Sequence, residues 1–156
     1  MAAKPIPEGY PALSPYLSVD DAERAIDYYT KAFGAKERGR MSGPDGRIAH
    51  AELEIGDSVL MLADDFPQFA TRPPKELGGT SVSLMLCVEN VDAVVRRAID
   101  EGATLTTEVA DQFWGDRFGA VTDPFGHVWT IATHVEDVPP DELTERAKAA
   151  MAAMGS

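Results

Sequence analysis

Thiols are almost missing from this chain: Cys87 is the one cysteine among 156 residues. No disulfide can close within it, and that poverty suits a reducing compartment, so a cytoplasmic location is the expectation. Basic residues are scarce too, with 14 Lys and Arg against 26 Asp and Glu and a formal net charge of −12. A surface of that sign repels phosphate backbones and anionic lipid, and no Lys/Arg cluster offsets it. Nucleic acid and membrane are therefore not expected partners. Apolar residues make up 44% of the chain, an ordinary share, yet nowhere form a run of membrane-spanning length. The opening "MAAKPIPEGYPALSPYL" has no unbroken apolar stretch, so no secretory signal is expected. Walker loops, Gly-x-Gly-x-x-Gly, a Gly-x-Ser-x-Gly elbow and zinc-type Cys spacings are all lacking, which removes several cofactor and nucleophile chemistries. Cys87 itself stands in the apolar "SLMLCV", which predicts a small core residue.

What is present is a faint internal repeat. "YLSVDDA" (16–22) enters a helical pattern that stops at Gly34-Ala35, and "MLCVENVDA" (85–93) enters another that stops at Gly102-Ala103. In the first, Asp20 is the expected cap, with Glu23 three residues on, and Ala22, Ile26, Tyr29 and Phe33 form the apolar stripe. Gly34 then supplies a left-handed terminus. In the second, Asn90 caps, Val91, Val94, Val95 and Ala98 form the stripe, and Gly102 ends it. Strands are expected at 36–41, 48–55 and 58–63 in the first half, and at 104–109, 118–123 and 127–133 in the second. Gly43-Pro44-Asp45-Gly46 reads as a turn. Asp123-Pro124-Phe125-Gly126 fits a type I turn, with Asp first, Pro second and Gly fourth. Strand 48–55 alternates, sending Ala49, Ala51, Leu53 and Ile55 one way and Ile48, His50, Glu52 and Glu54 the other.

Each half thus reads β-α-β-β-β, an α+β class. The expectation is one domain of two such modules, at 12–64 and 81–135. Residues 65–80, rich in Pro and Gly, read as a linking loop. Residues 140–153 read as a C-terminal helix whose Ala/Met content suits docking or a dimer contact.

The paired modules, closed by "DPFGHVWTIATH", resemble the vicinal oxygen chelate superfamily of glyoxalases, bleomycin resistance proteins and dioxygenases. "HAELEIGDSVLML" with "FWGDRFGAVTDPFGH" is most similar to its PhnB-like branch. The resemblance spans about residues 12–135. It implies mixed sheets cupped around a cavity, a homodimer, and in many relatives a divalent metal on the cavity floor. The ligand positions it implies fall at Ser14, Ser83, Thr130 and either Leu60 or Met61. Hydroxyl, aliphatic and thioether groups are poor partners for Zn, Fe, Ni or Mn, so no metal and no other cofactor is expected. An atypical site from His50 with Glu52 or Glu54 stays open as an alternative.

Among the polar residues, His50 is the candidate catalytic group, as a base or hydrogen-bond donor. Glu52, Trp114, Asp116, Arg117 and His134 are the candidate ligand-binding residues. Trp114 suits stacking and Arg117 bidentate anion binding, on a loop around Gly115; the bland reading is an Asp116–Arg117 pair that merely fixes that loop. Phe113 and Trp129 read as core, and His127 as an exposed strand start. The function expected is binding of a small organic molecule in a cup without the usual metal ligands. A metal-dependent or His-based lyase, isomerase or dioxygenase is the alternative.

Overall fold

Two runs of the same element order make up the chain, and the computed structural model describes residues 2–155 of it. They fall into two compact units, Met1–Ser81 and Val82–Ser156. The first holds β1 (Tyr16–Val19), α1 (Ala22–Phe33), β2 (Lys36–Ser42), β3 (Ile48–Ile55), β4 (Ser58–Asp64) and a short α2 (Pro74–Leu77). The second holds β5 (Ser83–Cys87), α3 (Val91–Asp100), β6 (Thr104–Asp111), β7 (Asp116–Thr122), β8 (Val128–His134) and α4 (Pro140–Met154). Each unit has a four-stranded mixed sheet, in the orders β1-β4-β3-β2 and β5-β8-β7-β6. The first and last strands of each unit run parallel, and all other pairs are antiparallel. No helix among the described residues is long and apolar enough to cross a membrane.

In the first unit the predicted stripe is the core. Ala22, Ile26, Tyr29 and Phe33 are buried, and Ala25, Tyr28 and Ala32 widen the buried face. Across the sheet, Leu17, Leu62 and Ala51 lie side by side in register, and all three are buried. Gly34 ends α1 at φ 69, the left-handed conformation its lack of a Cβ permits. The cap, however, is Asp21, whose carboxylate accepts from the Arg24 amide; Asp20 instead pairs with Lys75 at 3.0 Å. Two adjacent aspartates offer the same cap chemistry, and Asp21, in extended conformation at φ −154 and ψ 90, is the one that supplies it.

The second unit repeats the scheme. Asn90 caps α3 by accepting from the Ala93 amide, and Val91, Val95 and Ala98 are buried. Where Asp64 accepts from the Ala22 amide to tie β4 to the start of α1, Thr133 accepts from the Val91 amide to tie β8 to α3. The Asp123 turn is held from inside. One carboxylate oxygen accepts the amides of Phe125 and His127, and the other accepts the Trp129 indole N–H at 2.9 Å. Asp123 and Trp129 are both buried, the latter as expected.

Other sequence expectations change as well. Cys87 is exposed, because β5 is an edge strand whose Ser83, Met85 and Cys87 share an uncovered face. An apolar run cannot say which of a strand's two faces is covered. Phe113 is half-buried and packs edge-on against Trp114. Residues 65–80 are not all loop, since Pro74 starts the single turn α2, which Gly78 closes. Ile48 is buried despite sharing the parity of His50 and Glu52; consecutive Met41 and Ser42 pair with His50 and Ile48, so Ala49 is the extra residue of a bulge in β3 that breaks the alternation.

Candidate functional site

The sheet register gathers the polar residues of β3 onto the face away from α1. Glu52 stands opposite Met61, and Met61 opposite Tyr16, so the three side chains share one row. His50, two residues before Glu52, projects to the same side. On the other flank Glu52 faces Gly39, with open space where a Cβ would stand. β2 slips register between Glu37 and Gly39, leaving Arg38 as the extra residue of a bulge beside Glu52.

These residues form one hydrogen-bonded chain. The Tyr16 hydroxyl lies 2.7 Å from His50 Nδ1, and His50 Nε2 lies 3.0 Å from Glu52 Oε1. The Tyr10 hydroxyl donates to Glu52 Oε2 at 2.7 Å. An ionised carboxylate only accepts, so Nε2 carries the proton toward Glu52, and in the neutral ring Nδ1 then accepts from the Tyr16 phenol. The hydrogen bonds from His50 and Tyr10 hold the Glu52 carboxyl below the ordinary carboxylate range. Burial, aided by the Glu52 charge, pushes the Tyr16 phenol up, so it stays protonated. The side chains of His50 and Glu52 remain 25% and 17% exposed, within reach of a ligand.

His50 and Glu52, singled out from sequence, are therefore brought together. Glu54 lies exposed and outside the chain. Tyr10, Tyr16 and Arg38 were missed. Tyr16 is an ordinary strand start in sequence. Tyr10 sits in a Pro/Gly-rich opening whose contact with position 52 is wholly tertiary. The second unit lacks the constellation: at the matching register positions stand Met85, Thr130, Ala120 and Phe118.

The residues expected around Gly115 divide between two faces. Asp116 and Arg117 belong to β7 and not to the loop, and neighbours in a strand point apart. Asp116 accepts the Trp114 indole N–H at 3.0 Å and meets His134 Nδ1 at 2.8 Å. His134 Nε2 meets Asp137 at 2.7 Å. Asp137 first and Asp116 second push the His134 pKa above its ordinary value. Arg117 instead makes a bidentate pair with Asp92 of α3 and a further bond to Asp111. Its donors already serve carboxylates within the unit. Gly115, at φ 102, permits the tight passage: a Cβ there would strike the Glu136 carbonyl. Its own carbonyl accepts from the amides of Val135 and Glu136. Separately, a groove of about 370 Å³ runs between α3 and β6 over Val95, Ile99 and Leu105.

Of the two residues that the family resemblance offers for one implied ligand position, register chooses Met61 over Leu60: Met61 pairs with Tyr16 as Thr130 pairs with Met85, while Leu60 is buried. The Thr130 hydroxyl is bonded to the Leu84 carbonyl and the Met85 sulfur. Among the described residues no three His, Cys, Asp or Glu side chains converge on a point. Hydroxyl and thioether groups such as those of Thr130 and Met61 are poor ligands for divalent transition metals.

A family model described as the Glyoxalase/Bleomycin resistance protein/Dioxygenase superfamily matches residues 12–131. The uncharacterized protein Mb0911c of Mycobacterium bovis is 50% identical over 148 residues, covering 93% of this chain and 95% of that one. The crystal structure of the Arabidopsis thaliana product At5g48480 is similar at a TM-score of 0.63 with 29% identity, over 79% of this chain and 98% of that one. The PhnB protein from Bacillus cereus shares the fold at a TM-score of 0.63 and 17% identity, over 79% and 99%. The matching model, the mycobacterial relative and the paired β-α-β-β-β units together place the chain in the glyoxalase/bleomycin resistance protein/dioxygenase superfamily, of which it is a member.

Proposed function

We propose that this protein binds a small organic molecule on the face of the first sheet that carries Tyr16, His50 and Glu52. One observation carries the reading: a hydrogen-bonded phenol–imidazole–carboxylate chain, its imidazole and carboxylate half-buried and its phenol exposed, stands on a sheet face opposite the helix, where packing does not require it. Buried or half-buried polar chains of this kind orient ligands in otherwise apolar pockets. A panel of fragment-sized phenols, amines and carboxylic acids, screened by the NMR shifts of the His50 ring, tests it. Saturable shifts of His50 that vanish in Tyr16→Phe support the reading. A panel that leaves the ring unmoved at millimolar concentration counts against it.

The same geometry favours a second, catalytic reading, as a His-based lyase or isomerase. Glu52 fixes the His50 tautomer and would stabilise the imidazolium, so a proton accepted at the Tyr16 oxygen can be relayed to Nδ1. Deuterium uptake from solvent into α-hydroxy ketones, abolished by His50→Ala, separates catalysis from binding alone.

Three companions complete the proposal. The chain works as a homodimer, supported by exposed apolar groups such as Val82 (62%) and Met85 (52%), and by α4, which buries no residue of its own. Sedimentation giving a single-chain mass at micromolar concentration would reject that. It resides in the cytoplasm, supported by its lone cysteine. It belongs to the PhnB-like branch, supported by the motifs around His50 and Trp114.

A further inference from the structure

We infer that the turn ending at Tyr10 is the site's own occupant, and that the cradle it fills is a binding subsite for para-substituted phenols. The inference rests on the reading that the Tyr16–His50–Glu52 face takes a ligand. Residues 2–15 form no helix or strand. A turn closes between the Tyr10 amide and the Pro7 carbonyl. The side chains flanking it do little to anchor it, since Ile6 is 57% and Leu13 is 86% exposed. The Pro15 carbonyl, which accepts from the Met61 amide, fixes the segment where it enters β1, and ahead of that point Tyr10 is its side-chain anchor on the sheet. Its hydroxyl donates to Glu52 Oε2 at 2.7 Å, and the Arg38 guanidinium lies over its ring, 4.5 Å from the centroid. Arg38 also donates to the Gly9 carbonyl at 3.1 Å.

The cradle therefore reads two features at once. A carboxylate oxygen requires a donor, and a guanidinium on a ring face rewards a π-system. An aliphatic alcohol lacks the ring, an aryl ether lacks the donor, and an aliphatic carboxylate lacks both while setting a second acceptor against Glu52 Oε2, which Arg38 already faces at 4.0 Å. A phenol meets both requirements, and the Tyr10 side chain enters from the position para to its hydroxyl, so a para substituent has an exit. Gly39 beside Glu52 keeps that flank of the row open. Glu52 Oε1 is bonded to His50 while Oε2 takes the phenol, so the imidazole reports what happens at Oε2.

An intramolecular occupant lowers apparent affinity by the fraction of time it is docked. A strap seated nine-tenths of the time weakens an external ligand about tenfold. The test uses p-cresol and the full-length chain, read by the His50 ring shifts, with thermal melting confirming that each variant folds. Tyr10→Ala is expected to bind p-cresol about tenfold more tightly than the parent. Tyr10→Phe, which keeps the ring and loses the donor, should fall between. The gain should vanish when Tyr10→Ala is combined with Arg38→Met or with Glu52→Ala, and 4-methylcyclohexanol should not compete. Equal affinity in parent and Tyr10→Ala, absence of saturable binding to Tyr10→Ala, or a gain that survives both second substitutions would overturn the inference. Other panel compounds that still shift His50 in that event would leave the ligand face standing and reject the phenol cradle alone.

Discussion

Asp123 shows what a single residue can carry. It is buried, and its carboxylate bonds two backbone amides and one indole N–H, closing the β7–β8 hairpin around Trp129. Asp123→Ala removes both acceptor oxygens and the three hydrogen bonds they make, the one from the buried Trp129 N–H included, which costs about 2–3 kcal/mol. Asp123→Asn retains one acceptor and should cost less. Chemical denaturation of both variants checks the order, and equal stabilities would contradict it. His134 carries a different lesson. Its pKa is raised above 6.5 by Asp137 and Asp116, so the imidazolium is favoured in the folded state. That contribution is complete below the unfolded value and is lost as pH rises through the folded one. His134→Gln should therefore reduce the fall in melting temperature between pH 5.5 and pH 8.5, a small effect because the ring is 60% exposed. A fall of unchanged size in the variant would remove His134 as its cause.

Elements were largely readable because their signals are local. The helix stripes, Gly34, Asn90 and the two Pro-containing turns each announce themselves within a few residues, and the strands follow from period-two patterning between them. What was illegible depends on contacts distant in sequence. Covering of β5, which decides the exposure of Cys87, depends on what lies beside an edge strand. The half of the site supplied by β3 could be read from alternation. Arg38 could not, because a bulge re-aims it, and Tyr10 reaches Glu52 across 42 positions. The choice of cap is the element-scale error open to measurement. Asp21→Ala should destabilise α1 by about 1 kcal/mol, the usual worth of an N-cap carboxylate. Asp20→Ala loses only an exposed pair with Lys75 and should cost well under that. Comparable losses, or a larger one at position 20, would return the cap to Asp20.

At the scale of the whole molecule, the two units keep one register and differ in chemistry. Each pairs its first and last strands in parallel and ties its helix start to its last strand. Only the first places phenol, imidazole and carboxylate on the face away from its helix, while the second offers Met85, Phe118 and Ala120 there. The duplicated scaffold thus carries a phenol–imidazole–carboxylate chain in its first unit and an Asp116–His134–Asp137 cluster in its second, and the acid side of the chain's pH response should reflect the first. Glu52 has its pKa lowered by His50 and Tyr10, and Glu37, Asp45, Asp92 and Glu136 have theirs lowered by arginine partners. Depressed carboxylates stabilise the fold at neutral pH, and that stabilisation is lost as pH falls through their folded values, below the ordinary 3.8 to 4.5. The surface pairs are screened by salt, whereas Glu52, with its side chain 17% exposed, is screened less. Raising the salt concentration should therefore flatten part of the acid limb of a pH–melting curve in the parent. Glu52→Gln should flatten a further part that salt leaves intact. An acid limb unchanged by Glu52→Gln at high salt would show that the site contributes nothing to acid stability.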